Sequence, residues 1–161
     1  MISIKELYNS ITIEVIEKQN KEIINKNILY SLTKEDILKE LETYKFQPQH
    51  INDAIERIHF IEKLDNIYKL FVDDINTRRA IIRLNYFDND EVASCISLMH
   101  FIIRNNILYF NIYVRSQNIK NFEYDIYTFF LLTEKMMFNL SKIVPIYKTE
   151  MNITIGSLHL I

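Results

Sequence analysis

One glycine, two prolines, no tryptophan and a single cysteine in 161 residues make this chain notable first for what it lacks. The phosphate-cradling loop of the P-loop proteins and the dinucleotide fingerprint both require several closely spaced glycines, so kinase, NTPase and Rossmann readings are excluded. With only Cys95 there is no internal disulfide and no Cys-x-x-Cys clamp, and a reducing, cytoplasmic setting is expected. The four histidines, His50, His59, His100 and His159, are scattered without metal-ligand spacing, so no metal is expected. Nineteen basic residues against twenty-one acidic ones leave a net charge of −2. Neither sign forms a long run, which argues against nucleic-acid or membrane partners. No apolar run approaches the length of a bilayer span, and charges interrupt the first fifteen residues, so neither an anchor nor a secretion signal is expected.

What is present suits a single globular domain over 1–161. Hydrophobic residues make up 48% of the chain and charged ones 25%, enough apolar mass for roughly two-thirds of the unfolded surface to be buried. Alternation of Ile11, Ile13 and Val15 with Thr12 and Glu14 predicts a strand over Ile11 to Ile16, followed by a polar turn from Lys18 to Glu22. Thr33, three residues before Asp36 and just ahead of Ile37, Leu38, Leu41 and Tyr44, predicts a capped helix. A second helix is expected after Pro48, running to about Val72 and ended by Asp74, Asn76 and Thr77. The period then drops to two: a strand from Ala80 to Tyr86, and two more, about Ala93 to Ile103 and Ile107 to Arg115, around the turn pair Asn105-Asn106. Glu123 to Leu140 predicts a helix buried on most of its surface, and the segment from Pro145 closes the chain as a strand carrying Ser157 and His159. The expected class is α+β, a mostly antiparallel twisted sheet with helices packed on one face.

Cys95, between Ser94 and Ile96, has two readings. It is a small core residue of a strand, or a nucleophile whose thiolate is favoured by nearby guanidinium groups. Arg115, one hairpin strand away, and Arg78-Arg79, opening an earlier strand, are the arginines at issue. His100, five residues on from Cys95, points to the opposite face of a regular strand, and only a bulge would change that. His159 reads as a structural histidine of an apolar strand.

The run RRAIIRLNYFDNDEVASCISLMHFIIRNNILYFNIYVRSQN, then FEYDIYTFFLLTEKM, then IGSLHLI, resembles the thymidylate synthase and deoxycytidylate hydroxymethylase family. The resemblance rests on five short motifs in the family's order. They are the pair Arg78-Arg79, a strand holding Cys95, the segment Arg115-Ser116-Gln117-Asn118, the helix start Asp125-Ile126, and the terminal His159-Leu160-Ile161. It runs from about Leu64 onward and is faint before, where Glu40-Leu41 matches the family's catalytic Glu-Leu.

The resemblance implies a thymidylate synthase-like fold and one-carbon transfer, methyl or hydroxymethyl, to C5 of a pyrimidine nucleotide monophosphate. Cys95 would be the nucleophile and Glu40 a catalytic carboxylate. Arg115 and Ser116 would hold the 5′-phosphate, joined by Arg78 and Arg79 from the other subunit of a homodimer, while His159 would meet the sugar. Asp125 stands where the synthases carry asparagine and the cytidylate hydroxymethylases aspartate. A carboxyl group complements the amino group and N3 of cytosine, so dCMP or CMP is favoured. A helix-start carboxylate stabilised by the helix dipole is the plainer account of Asp125. The one-carbon donor implied is methylenetetrahydrofolate, although Asn118 replaces the aspartate that meets folate. A silent nucleotide-binding or partner-regulating module, or one subunit of a hetero-complex, is the alternative.

Overall fold

The computed structural model describes residues 2–44, 64–83 and 95–160. Helix α1, Ile4–Ile16, begins at a capping box: Ser3 Oγ accepts the Glu6 amide at 3.1 Å, and the Glu6 carboxylate accepts the Ser3 amide at 3.0 Å. It replaces the strand expected over Ile11 to Ile16. The buried residues are Ile4, Ile11 and Val15, whose spacing marks one helical face, while Ile13, required inside by the strand reading, is 59% exposed.

Strand β1, Glu22–Leu32, follows and takes in the end of the expected polar turn. Helix α2, Lys34–Thr43, starts at the predicted Thr33–Asp36 capping box. Helix α3, Leu64–Asp73, falls within the second expected helix, and the part of that expectation from Pro48 to 63 lies outside the described residues. Strand β2 spans Ile81–Arg83, β3 Ile96–Arg104 and β4 Ile107–Asn118. Asn105 and Asn106, with φ of 53° and 62°, form the tight β3–β4 turn that their tolerance of left-handed backbone predicts. A 3-10 turn, Ile119–Asn121, leads into helix α4, Phe122–Leu140, and strand β5, Lys148–His159, closes the fold.

The five strands lie in the order β1-β5-β4-β3-β2. All neighbours are antiparallel except β4 and β5, whose parallel pairing is reached through the α4 crossover. One row of partners shows how the core is built. Tyr30, Met151, Phe110 and Phe101 lie side by side across four strands, all are buried, and Phe130 of α4 meets Tyr30 edge-on at 5.2 Å. Neighbouring row positions Leu29, Asn152, Asn111, His100 and Ile81 point the other way and stay partly or fully exposed. Among the described residues, the helices therefore cover one face of the sheet and leave a mixed polar and apolar face open. None of the described helices is long and apolar enough to cross a membrane.

The Tyr30 hydroxyl is buried with no hydrogen-bond partner among the described residues. Burial, then the charges of Glu40 and Glu6, push this phenol far above its ordinary value of 10.0. Tyr30→Phe removes an unsatisfied polar atom and should stabilise the fold by about 1 kcal/mol, read by urea denaturation. Because the folded phenol holds its proton more tightly than the unfolded one, its contribution is intact below pH 10.0 and falls as pH rises beyond it. The Phe variant should lose less stability at high pH than the parent, and a less stable Tyr30→Phe protein at neutral pH would contradict the assignment.

Candidate active site

Four strands lose their regular geometry along one line, and the candidate residues gather at and beyond it. On β1, Asn25 takes a left-handed φ of 57°. Its flanking pairs, Ile24 with Ser157 and Lys26 with Ile155, set it opposite Gly156 on β5. Gly156 in turn lies against Arg115 of β4, where an added Cβ would sit 2.8 Å from the Arg115 carbonyl oxygen and 3.0 Å from the Tyr113 hydroxyl. That close approach accounts for the chain's lone glycine. On β3 the register shifts between Ile96 and Leu98. Burial slips by one residue at the same level: on β4 from Val114 to Gln117, on β5 from Ile155 to Leu158. Ser116, Asn118, Ser157 and His159 are thereby left half-exposed at the ends of the two parallel strands.

The bulge also decides what faces the cysteine. The hairpin begins with Arg104 opposite Ile107, a register that would bring Cys95 to Ser116. After the shift Ile96 faces Val114, and the Arg115 amide donates to the Cys95 carbonyl at 2.7 Å. Cys95 is exposed, so the core-residue reading fails. The bulge changes the alternation between Cys95 and His100 as well, yet His100 Nε2 lies 3.0 Å from the Arg78 carbonyl and no hydrogen bond joins it to the thiol.

Next to Arg115, Ser116 pairs with Ser157 and Asn118 with His159 across the parallel strands. Ser157 Oγ lies 2.5 Å from the Glu22 carboxylate and 3.2 Å from His159 Nδ1. His159 is thus tied into a polar cluster, a partnership the apolar-strand reading missed. The signal was present, because residues two apart on a strand share a face. Asn118 Oδ1 accepts the Lys120 amide at 3.1 Å and caps the 3-10 turn. Asp125, in the first turn of α4, is buried and accepts from Gln117 Nε2 at 2.9 Å. Gln117 escaped sequence reading because its burial depends on the slipped alternation.

Two groups of candidates stand apart from this cluster. Arg78 and Arg79 are exposed just ahead of the edge strand β2. Arg78 lines a 460 Å³ cavity on the open face with His100, Ile102, Arg104, Tyr109 and Asn111. Glu40 is buried in the helical layer, where its Oε1 accepts the Ile4 amide at 2.7 Å. It satisfies one of the free amides at the start of α1. Glu40→Ala should cost about 1–3 kcal/mol by orphaning that amide, and Glu40→Gln, which keeps an acceptor, clearly less. Denaturant melts that show equal losses for the two would contradict this capping role.

No protein-family model matches the chain, and no curated protein matches it. Among solved structures it is similar to thermostable thymidylate synthase A from Bacillus subtilis, with 14% identity and a TM-score of 0.63. The match covers 99% of this chain and 80% of that one. At that identity the likeness establishes the architecture: the chain has a thymidylate synthase-like α+β fold.

Proposed function

We propose that the protein is a thymidylate synthase-like enzyme that activates C5 of a pyrimidine nucleotide monophosphate for attack on a one-carbon unit, with cytosine nucleotides preferred. The observation that carries this reading is the pairing of Cys95 with Arg115, beside Ser116, Ser157 and His159, on adjacent strand ends of a fold of this type. The arrangement supplies a nucleophile and a guanidinium and hydroxyl pair for a phosphate, with an imidazole for the sugar. In the proposed reaction the Cys95 thiolate bonds to C6, and the C5–C6 π electrons move to C5, which becomes the nucleophile. After C5 gains its new substituent it loses its proton, and expulsion of the thiolate restores the double bond.

The open sheet face supports a homodimer in this proposal, because half-exposed Leu98, Ile102 and Tyr109 lie there among polar neighbours. Arg78 and Arg79 are then the arginines offered to the partner's phosphate site. Asp125 would read the cytosine amino group by exchanging its Gln117 bond for the base.

A one-carbon donor supplies the electrophilic carbon, and methylenetetrahydrofolate is the donor the resemblance names. The described residues do not fit it well, since the Asn118 side chain caps its own turn. No step of the proposed reaction is therefore routed through folate. The same observation, with Glu40 engaged at Ile4, favours a second reading, a nucleotide-binding module without turnover. Incubation of the protein with dCMP, CMP or dUMP in deuterated water, followed by mass spectrometry of the nucleotides, separates the two. The first reading predicts deuterium at C5 of the cytosine nucleotides. Binding of the nucleotides without exchange supports the module.

A further inference from the structure

We infer that Glu22 and Ser157 are positioning residues that fix the proton of His159 on Nδ1, making Nε2 an acceptor for a hydroxyl group of the bound molecule. A serine hydroxyl has one proton to give and lone pairs to receive, whereas a carboxylate only receives. With Ser157 Oγ 2.5 Å from Glu22 Oε2, the serine proton goes to the carboxylate. The 3.2 Å contact between Ser157 Oγ and His159 Nδ1 must then run from the ring N–H to the serine oxygen. A neutral imidazole has one N–H, so Nε2 is left with its lone pair. The backbone holds the order in place: Glu22 is the strand partner of His159, and Ser157 lies two residues before His159 on the same strand.

The consequence rests on the proposed nucleotide reading. A nucleotide sugar presents O–H groups, and an imidazole offering a lone pair binds them as donors. The opposite tautomer would present an N–H that the hydroxyl oxygen accepts, so the tautomer sets the direction in which that hydroxyl is held. Glu22 therefore acts on the ligand through two intermediaries and need not touch it. Ser116 and Asn118, facing Ser157 and His159 from β4, carry no charge that would reverse the order.

The test is made on the intact, ligand-free protein by 15N NMR of the His159 ring, at a pH above which its ring 15N shifts no longer change. The parent should show the Nδ1–H tautomer. Both Ser157→Ala and Glu22→Ala should move the proton to Nε2, the first by removing the acceptor and the second by freeing the serine to donate to Nδ1. Thermal melts identify any variant that fails to fold, and either variant alone is sufficient. An Nε2–H ring in the parent, or an Nδ1–H ring unchanged in the folded variants, overturns the inference.

A binding arm compares dCMP with its 2′,3′-dideoxy analogue. The parent should bind dCMP about five- to tenfold more tightly than the analogue, and the variants should bind the analogue as the parent does. Equal binding of both nucleotides by the parent overturns the acceptor role. A protein that shows the predicted tautomers and binds neither nucleotide upholds the network and overturns the nucleotide reading.

Discussion

Cys95→Ala abolishes every C5 reaction of the protein, lowering the rate by more than about a hundredfold, while nucleotide binding persists. The magnitude follows from removing the atom that forms the covalent bond. The thiol is exposed just ahead of β3 and fills no core volume, so the substitution should change stability by less than about 0.5 kcal/mol. That contrast makes the experiment informative. A structural cysteine would lose stability before chemistry, and a nucleophile loses chemistry alone. A Cys95→Ala protein that retains C5 chemistry would remove the cysteine from the mechanism, and one that unfolds would restore the core reading.

Phe110→Ala is expected to have the largest effect on the fold, about 3–5 kcal/mol. Phe110 is fully buried and stacks on Phe101 with ring centroids 4.4 Å apart, in the row that joins β1, β5, β4 and β3. Its loss opens a cavity where the sheet meets the helical layer, and the neighbouring strands are too well paired to collapse into it. A loss of this size is a large fraction of the total stability of a typical domain, about 5–15 kcal/mol. Urea denaturation of the variant measures it. A cost below about 1 kcal/mol would mean that this row is not the centre of the core.

The elements legible in the sequence were those whose signals are local. The Thr33–Asp36 capping box, the Asn105-Asn106 turn and the apolar run of α4 each declare themselves within a few residues. Helix α1 was misread because six residues from Ile11 to Ile16 fit either period. The deciding signals, Ser3 with Glu6 and buried Ile4, lie further back. Strand β1 is hidden in the sequence because the polar run Asn25-Lys26-Asn27, with left-handed Asn25, interrupts it after Ile23 and Ile24, although Ile28, Tyr30 and Leu32 alternate cleanly after it. No local pattern reveals that Glu22 pairs with His159, or that β5 lies between β1 and β4.

The site divides in the same way. Hairpin arithmetic brings Cys95 near Arg115, but the one-residue bulge that makes them neighbours is a property of the assembled sheet. The Glu22–Ser157–His159 chain depends wholly on long-range pairing, and so does the engagement of Glu40 by the first turn of α1.

The central claim is that Cys95 adds to C6 of a pyrimidine nucleotide. Exchange of the C5 hydrogen of dCMP, CMP and dUMP with solvent tests it most directly, because exchange requires the covalent adduct and no one-carbon donor. Exchange with the cytosine nucleotides, lost in Cys95→Ala, is the expected result. A folded, nucleotide-saturated protein that exchanges no C5 hydrogen would contradict it.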